Sequence, residues 1–194
     1  MKKTNNKGFS LVELIIVIAI MAILAGAIAP ALIRYIDKSR KSNDVTAAKS
    51  IKTAVETALG NESIYEYLTT AGTDAIIVIE PGKKTSSAQA TSYTADAAVK
   101  IYVAGKCEGV ANDVMGQRAA AEIGTNIGEK TPKVKYKKAS KNDCGTSVTP
   151  DKFVVTVTQK GSVEVYLTGN ANAGASFNAS NALMLSPEVC DSYQ

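Results

Sequence analysis

Three features of this 194-residue chain could do chemistry: a carboxylate at the edge of a long apolar run, a Gly-Phe junction and three cysteines. Glu13 stands directly before the uncharged run from Leu14 to Ile33. A charged side chain at the centre of a bilayer costs roughly 2.5–3.5 kcal/mol, and a carboxylate in apolar surroundings is favourable only when it is paired. The sequence therefore predicts that Glu13 has a cationic partner.

Histidine is absent from the sequence, which removes most nucleophilic and metal chemistry. Ser-His and Cys-His nucleophiles need an imidazole base, and a structural zinc site would have only the cysteines to use. The chain also lacks the phosphate-binding G-x-x-x-x-G-K-[ST] pattern and the G-x-S-x-G pattern of serine hydrolases. We therefore predict no catalytic residue, metal, cofactor or nucleotide, and a protein that is not an enzyme.

The three cysteines are widely spaced and form no C-x-x-C pair: Cys107, Cys144 and Cys190. If this region lies outside the cytoplasm, one disulfide and one free thiol are expected. A Cys144–Cys190 bond is the proposed pair because it would pin the C-terminal tail. The pairs Cys107–Cys144 and Cys107–Cys190 stay open, as do three free buried thiols.

Charge is concentrated at the N-terminus. The net charge is +4, and Lys2, Lys3 and Lys7 supply most of it, so the remaining chain gives little reason to expect nucleic acid binding. Four basic residues follow the apolar run and are expected to mark the membrane–water interface: Arg34, Lys38, Arg40 and Lys41. Basic residues thus flank the run on both sides, and the positive-inside rule does not fix its orientation.

Three interpretations compete for the N-terminal segment. A secretory signal peptide would be cut after Ala27-Ile28-Ala29, but Pro30 would follow the cut and the apolar run exceeds a usual h-region of about 7–15 residues. A plain signal anchor fits, because twenty helical residues span about 30 Å, but it leaves Glu13 unexplained. The third interpretation comes from a resemblance.

The stretch KGFSLVELIIVIAIMAILAGAIAPAL resembles the N-terminus of the type IV pilin family, which includes the pseudopilins of type II secretion and competence. A basic leader ends at Gly8, Phe9 follows, Glu13 stands at a fixed offset, and Pro30 lies well inside the apolar run. The resemblance covers about the first fifty residues. It implies an α+β fold in which a long N-terminal hydrophobic and amphipathic helix packs on a small antiparallel β-sheet head.

The resemblance implies a processing route and an assembly role. A prepilin peptidase would cut after Gly8 and methylate the new amine of Phe9. At 1.5 Å per helical residue, Glu13 lies about 6 Å from that amine along the axis, and the amine of a neighbouring subunit can pair with it. Gly26 and Pro30 are expected to let the helix bend or unwind locally during assembly.

Localisation and partners follow from the same resemblance. The prepilin would be held in the cytoplasmic membrane by a single pass with its head outside, and would then form a surface filament with copies of itself. A pilus assembly platform with a separate cytoplasmic ATPase would drive extension. The alternatives are a type II secretion or competence pseudopilin and a membrane-anchored surface binding module that never polymerises.

Four segments are predicted along the chain. They are a leader at 1–8, a membrane-spanning and filament-core half-helix at 9–33, an amphipathic half-helix at 34–59 and a globular head at 60–194. After Pro30, apolar residues recur mostly at spacings of three and four, as in an amphipathic helix, namely Ile33, Ile36, Val45, Ala48, Ile51, Val55, Ala58 and Leu59. Charged residues are assigned to its other face, Asp44 among them, and Gly60-Asn61 supplies a stop signal.

The head is predicted to be mainly β-structure. Strands are expected at 75–80 and 99–103, and three antiparallel strands at 134–137, 153–158 and 163–167 are expected to lay one face on residues 36–59. The last two would form a hairpin around Lys160-Gly161. A short helix is predicted at 110–123, and loops are predicted at 80–94 and 169–181.

Overall fold

A computed structural model describes residues 9–85, 98–103, 106–108 and 114–194, the third of these ranges by its backbone alone. Three helices are present in this part of the chain: α1 (Leu11–Leu59), α2 (Glu62–Thr69) and α3 (Val114–Ile127). The strands are β1 (Ala75–Ile79), β2 (Val99–Val103), β3 (Lys106–Glu108), β4 (Ser140–Lys141), β5 (Ser147–Val148), β6 (Lys152–Val157), β7 (Val163–Thr168) and β8 (Leu183–Ser186). Together they form the predicted α+β fold.

The chain divides into two compact units at Ser39 and Arg40. In the first unit the apolar side chains of α1 are exposed, and the helix continues through Pro30. An 18-residue stretch of α1 has a mean hydropathy of 2.9, and α1 is the one helix of the described chain that is long and apolar enough to cross a membrane. Ile33 and Ile36 are exposed as well; contact with the sheet was predicted from residue 36 onward, so that prediction was wrong for Ile36.

In the second unit, one face of α1 packs on the sheet. Ala48, Ile51, Val55 and Ala58 are fully buried at spacings of three and four, which is the geometry of one helix face. They share one apolar core with alternate residues of the strands, such as Ile77, Val155, Val165 and Leu167. This confirms the predicted packing of the amphipathic half-helix on the sheet.

The main sheet is antiparallel throughout and has the strand order β3-β2-β1-β6-β7-β8. The predicted strands at 75–80, 99–103, 153–158 and 163–167 are all present with boundary shifts of at most one residue. The predicted hairpin is formed by β6 and β7, which pair from Lys152 with Thr168 to Val157 with Val163. Gly161 in its turn has a φ of +78°, a conformation that glycine adopts without steric cost.

The strand predicted at Val134–Lys137 was wrong. Those residues lie outside every strand, because the backbone N–H groups of Lys135 and Tyr136 donate to the carboxylate of Asp44 at 2.7 and 2.9 Å. Their hydrogen bonds are thus made to α1 and not to a neighbouring strand. Asp44 was assigned to the charged face of α1, and that prediction was also wrong, since its side chain is fully buried.

Other differences concern short elements. The helix predicted at 110–123 corresponds to α3, which ends later, at Ile127; residues 110–113 lie outside the described residues. Of the loop predicted at 80–94, residues 86–94 also lie outside the described residues. The elements α2, β3, β4, β5 and β8 were not predicted. The loop at 169–181 is confirmed and contains two single 3₁₀ turns, Asn170–Asn172 and Ala179–Asn181.

The exposed side of α1 in the second unit is rich in hydroxyl groups that bond back to their own helix. Thr46 Oγ1 donates to the carbonyl oxygen of Ser42 at 2.9 Å, and Thr57 Oγ1 donates to that of Thr53 at 2.7 Å. Ser50 and Thr53 bond in the same way to carbonyl oxygens four residues earlier. These hydroxyls therefore form a polar stripe whose donors are satisfied within the helix.

Candidate functional site

The residues predicted to act in assembly lie at the start of α1. Gly8 is outside the described residues. Phe9 is 89% exposed, and the helix begins two residues later at Leu11. Glu13 is exposed in the first turn, on the same helix as Pro30.

Glu13 has a hydrogen-bond partner within its own chain. Its Oε2 accepts from the backbone N–H of Ser10 at 2.9 Å. Ser10 directly precedes the helix and Glu13 is three residues later, which is the sequence pattern of a capping box. A negative charge in the first turn also interacts favourably with the helix dipole. The serine-to-glutamate spacing carried this signal, and the sequence reasoning above missed it.

The capping bond leaves the carboxylate with further accepting capacity. An ionised Glu side chain has about four lone-pair sites on two oxygens, and the bond from Ser10 uses one of them. The arrangement can therefore hold Glu13 near the start of α1 while a second, cationic donor binds. Around it the apolar side chains of Leu11, Val12 and Leu14 are more than half exposed, so such a donor would be bound in largely apolar surroundings.

The two cysteines of the proposed disulfide are both free thiols in this structure, Cys144 exposed and Cys190 buried. The loop that carries Cys144 nonetheless contacts the tail, since the N–H of Asp191 donates to Asp143 Oδ1 at 3.2 Å. Burial raises the pKa of the Cys190 thiol, and the Asp143 carboxylate raises it further, while Ser192 opposes them. The Cys107 side chain lies outside the described residues, so the Cys144–Cys190 pair stays a prediction.

The C-terminal tail is also held against α1. Lys41 Nζ donates to the carbonyl oxygen of Ser192 at 2.5 Å and lies 4.9 and 5.6 Å from the ring centroids of Tyr136 and Tyr193. The two rings meet edge to face with centroids 5.8 Å apart, a favourable arrangement of aromatic quadrupoles. A disulfide is thus not the sole possible anchor of the tail.

Burial and neighbouring groups shift the pKa of two carboxylates in the described chain, Asp44 and Glu80. Burial raises the pKa of Asp44 and outweighs the two backbone hydrogen bonds that lower it. Burial also raises the pKa of Glu80, but Lys152 at 2.9 Å and Lys100 at 3.1 Å outweigh it, so that the pKa lies below its ordinary value. Asp44 ties α1 to the segment after α3, and Glu80 ties the end of β1 to β2 and β6, so both acids have a structural role.

The N-terminal motif is matched by a family model. Residues 3–29 match the prokaryotic N-terminal methylation motif. This range contains the Gly8-Phe9 junction, Glu13 and most of the apolar run. No solved structure matches the chain.

Relatives named as fimbrial proteins match over a larger part of the chain. This chain is 33% identical to the type IV major fimbrial protein FimA of Dichelobacter nodosus over 123 residues. The aligned region covers 62% of this chain and 78% of the relative. This chain is also 32% identical to the fimbrial protein of Moraxella nonliquefaciens over 127 residues. That aligned region covers 64% of this chain and 82% of the relative. Fimbrial protein Q of Moraxella bovis is 51% identical over 54 residues, or 28% of this chain and 34% of the relative. With this extent of similarity, the chain belongs to the type IV pilin family and is a structural subunit of a type IV pilus.

Proposed function

We propose that the chain is made as a prepilin, cut after Gly8, methylated on the amine of Phe9 and polymerised through α1 into a surface filament. In this scheme residues 1–8 are the leader, 9–33 span the membrane and then form the filament core, 34–59 join the core to the head, and 60–194 are the exterior. The match of residues 3–29 to the N-terminal methylation motif is the observation that carries the scheme.

The exposure of the first part of α1 supports polymerisation through this helix. Apolar side chains such as Ile16, Ile20 and Leu24 are more than half exposed. A row of apolar side chains of this length needs lipid before assembly and other protein afterwards, because exposure of each to water forfeits roughly 1.5–3 kcal/mol. Copies of the same helix can supply that second environment.

The position of Glu13 supports a role in subunit register. The amine that cleavage would create on Phe9 is a cation, and a neighbour's amine can meet the carboxylate in the filament core. A buried pair of this kind is strongly position-dependent, because removal of one partner leaves an uncompensated charge. Glu13 thus acts on addition of the next subunit and has no catalytic role.

Several partners complete the proposed route. A prepilin peptidase acts on the Gly8-Phe9 bond, and an assembly platform with a separate cytoplasmic ATPase extends the filament. The prepilin crosses the cytoplasmic membrane once, with its head outside. The chain itself is proposed to bind no nucleotide and to catalyse no reaction.

Mass spectrometry of sheared surface filaments tests the scheme. We expect the subunit to begin at Phe9 with a methylated amine. Gly8→Val should leave the uncut form in the membrane, since a branched side chain next to the scissile bond obstructs the peptidase cleft; Gly26→Val is the matched control. An intact Met1 leader on a monomeric protein would instead indicate an anchored surface module, and normal maturation of Gly8→Val would disprove the leader assignment.

A further inference from the structure

A groove runs along the second unit between α1 and the segment that follows α3, with a volume of about 660 Å³. The α1 side is formed by Thr46, Ala47 and Ser50, and the other side carries Lys130, Lys133 and Lys135. We call this surface the basic groove. Among the described residues that line it there is no carboxylate, and all three lysines are exposed.

The lysine side of the basic groove is rigidly positioned. Thr131 is buried, its backbone exchanges hydrogen bonds with Gly82 and Lys83 at 3.1 and 3.0 Å, and its hydroxyl donates to the carbonyl oxygen of Glu80. Farther along, Asp44 accepts from the next part of the segment at 2.7 Å. The backbone that carries the lysines is thus held in place before any partner binds, so binding needs to order only their side chains.

The same chain exposes a complementary helix face. Helix α2 packs into the core through Ile64 and Leu68, which are buried. Glu62 and Glu66, four residues apart, lie on its opposite face and are exposed. Tyr65 lies beside this face, with one edge of its ring next to Gly161 and 39% of the residue exposed, and tyrosine is among the residues enriched at protein interfaces.

The basic groove and the acidic face of α2 lie at different positions along the axis of α1. The basic groove contacts α1 around Thr46, whereas α2 begins after α1 has ended at Leu59. Thirteen residues of helix correspond to about 20 Å. Two different, complementary patches separated along one axis make a head-to-tail contact that can repeat without closing, and this is the type of contact that builds filaments.

We propose that the basic groove of one subunit receives the acidic face of α2 from a second copy of the chain. Glu62 and Glu66 of the second copy face Lys130 and Lys133, and Tyr65 supplies apolar contact area. This interface rests on the proposed polymerisation and adds to it a contact between heads, distinct from the packing of α1.

Charge reversal on each side tests the interface. Lys130→Glu with Lys133→Glu should reduce the number of surface filaments at least about tenfold, because like charges would then face each other. Glu62→Lys with Glu66→Lys should do the same, and the four changes together should restore assembly. Lys135 is left unchanged because its charge acts on the buried Asp44. The matched control reverses an exposed lysine outside both surfaces, Lys141→Glu, and should assemble as the wild type does.

Each outcome bears on one of the two proposals. If the fourfold variant assembles no better than the twofold variants, or if these assemble normally, the head-to-tail contact is disproved. If the Lys130→Glu, Lys133→Glu variant assembles normally but its filaments no longer bind an anionic matrix, the proposed contact is disproved and the basic groove binds an external polyanion instead. Absence of filaments from wild-type cells would refute polymerisation itself, and with it the premise of the interface.

Chemical cross-linking of wild-type filaments gives a test that needs no variant to fold. A carbodiimide joins a lysine to a carboxylate only where the two are in contact. Dimers should contain peptides in which Lys130 or Lys133 is linked to Glu62 or Glu66. Dimers linked solely through other lysines and carboxylates would overturn the proposed contact.

Discussion

Replacement of Asp44 by alanine should destabilise the head. Its carboxylate accepts two backbone N–H groups, from Lys135 at 2.7 Å and from Tyr136 at 2.9 Å, and its side chain is fully buried. The N–H of Tyr136 is buried and that of Lys135 is partly buried, and a buried donor left without a partner costs about 1–3 kcal/mol. The gain from removal of a desolvated charge and from the better helix propensity of alanine offsets part of this, so we expect a net loss of roughly 2–4 kcal/mol in the free energy of unfolding.

Guanidinium unfolding of the full chain in detergent measures this loss. Tyrosine near-UV circular dichroism is a suitable signal, because tryptophan is absent and Tyr136 and Tyr193 pack next to the site. Asp44→Asn should lie between the wild type and Asp44→Ala, since its amide keeps one accepting oxygen. Asp74→Ala, at an exposed position, is the matched control.

The pH dependence gives a second measurement on the same variant. The folded-state pKa of Asp44 is raised above 3.8, so the folded protein takes up the proton before the unfolded chain does. The contribution of Asp44 to stability therefore increases as the pH falls through the folded pKa towards 3.8. The difference between wild type and Asp44→Ala should widen in that window. A difference below about 0.5 kcal/mol at every pH would refute the role of Asp44 as the link between α1 and this segment.

Three further predictions concern other sites. Glu13→Val should be expressed, inserted and cut before Phe9, yet give few filaments by electron microscopy, with an aspartate variant intermediate; wild-type filament numbers, with no other subunit present, would disprove the pairing. Glu80→Gln should lower stability near pH 7 but have a smaller effect at about pH 3, because the pKa of Glu80 is lowered from 4.5 and its contribution is lost as the pH falls through that lowered value. Chemical denaturation at both pH values measures this, and equal effects would contradict it. Non-reducing peptide mapping of filaments should give a Cys144–Cys190 link worth about 4 kcal/mol in the chain-entropy model, whereas three free thiols or another pair would remove it.

Local periodicity was sufficient to predict the elements with strong patterns. The spacing of Ala48, Ile51, Val55 and Ala58 identified the packed face of α1, and β-branched runs around a Lys-Gly turn identified the β6–β7 hairpin. These elements follow from the sequence because their side-chain pattern and their turn residues agree with the tertiary structure.

Long-range hydrogen bonding decided the positions where prediction failed. Val134–Lys137 has the composition of a strand, but Asp44, about ninety residues earlier, accepts its N–H groups. Asp44 lies four residues before Ala48, on the packed face of α1, so the helical spacing could have indicated its burial, but no local pattern identifies its distant partners. At the candidate assembly site the family motif located Glu13, and the bond to Ser10 could have been read from the capping-box spacing.

The polar stripe on α1 can move from water into a protein contact at low cost. Thr46, Ser50, Thr53 and Thr57 donate to carbonyl oxygens of their own helix. An unsatisfied hydroxyl moved out of water costs roughly 1–3 kcal/mol in proteins, but a donor that carries its acceptor with it avoids most of this penalty. The surface formed by these residues can therefore move from water into a protein contact with little desolvation cost, and the methyl groups of its threonines can add dispersion contacts. The same helix face is in this way soluble on a free subunit and compatible with burial in a polymer.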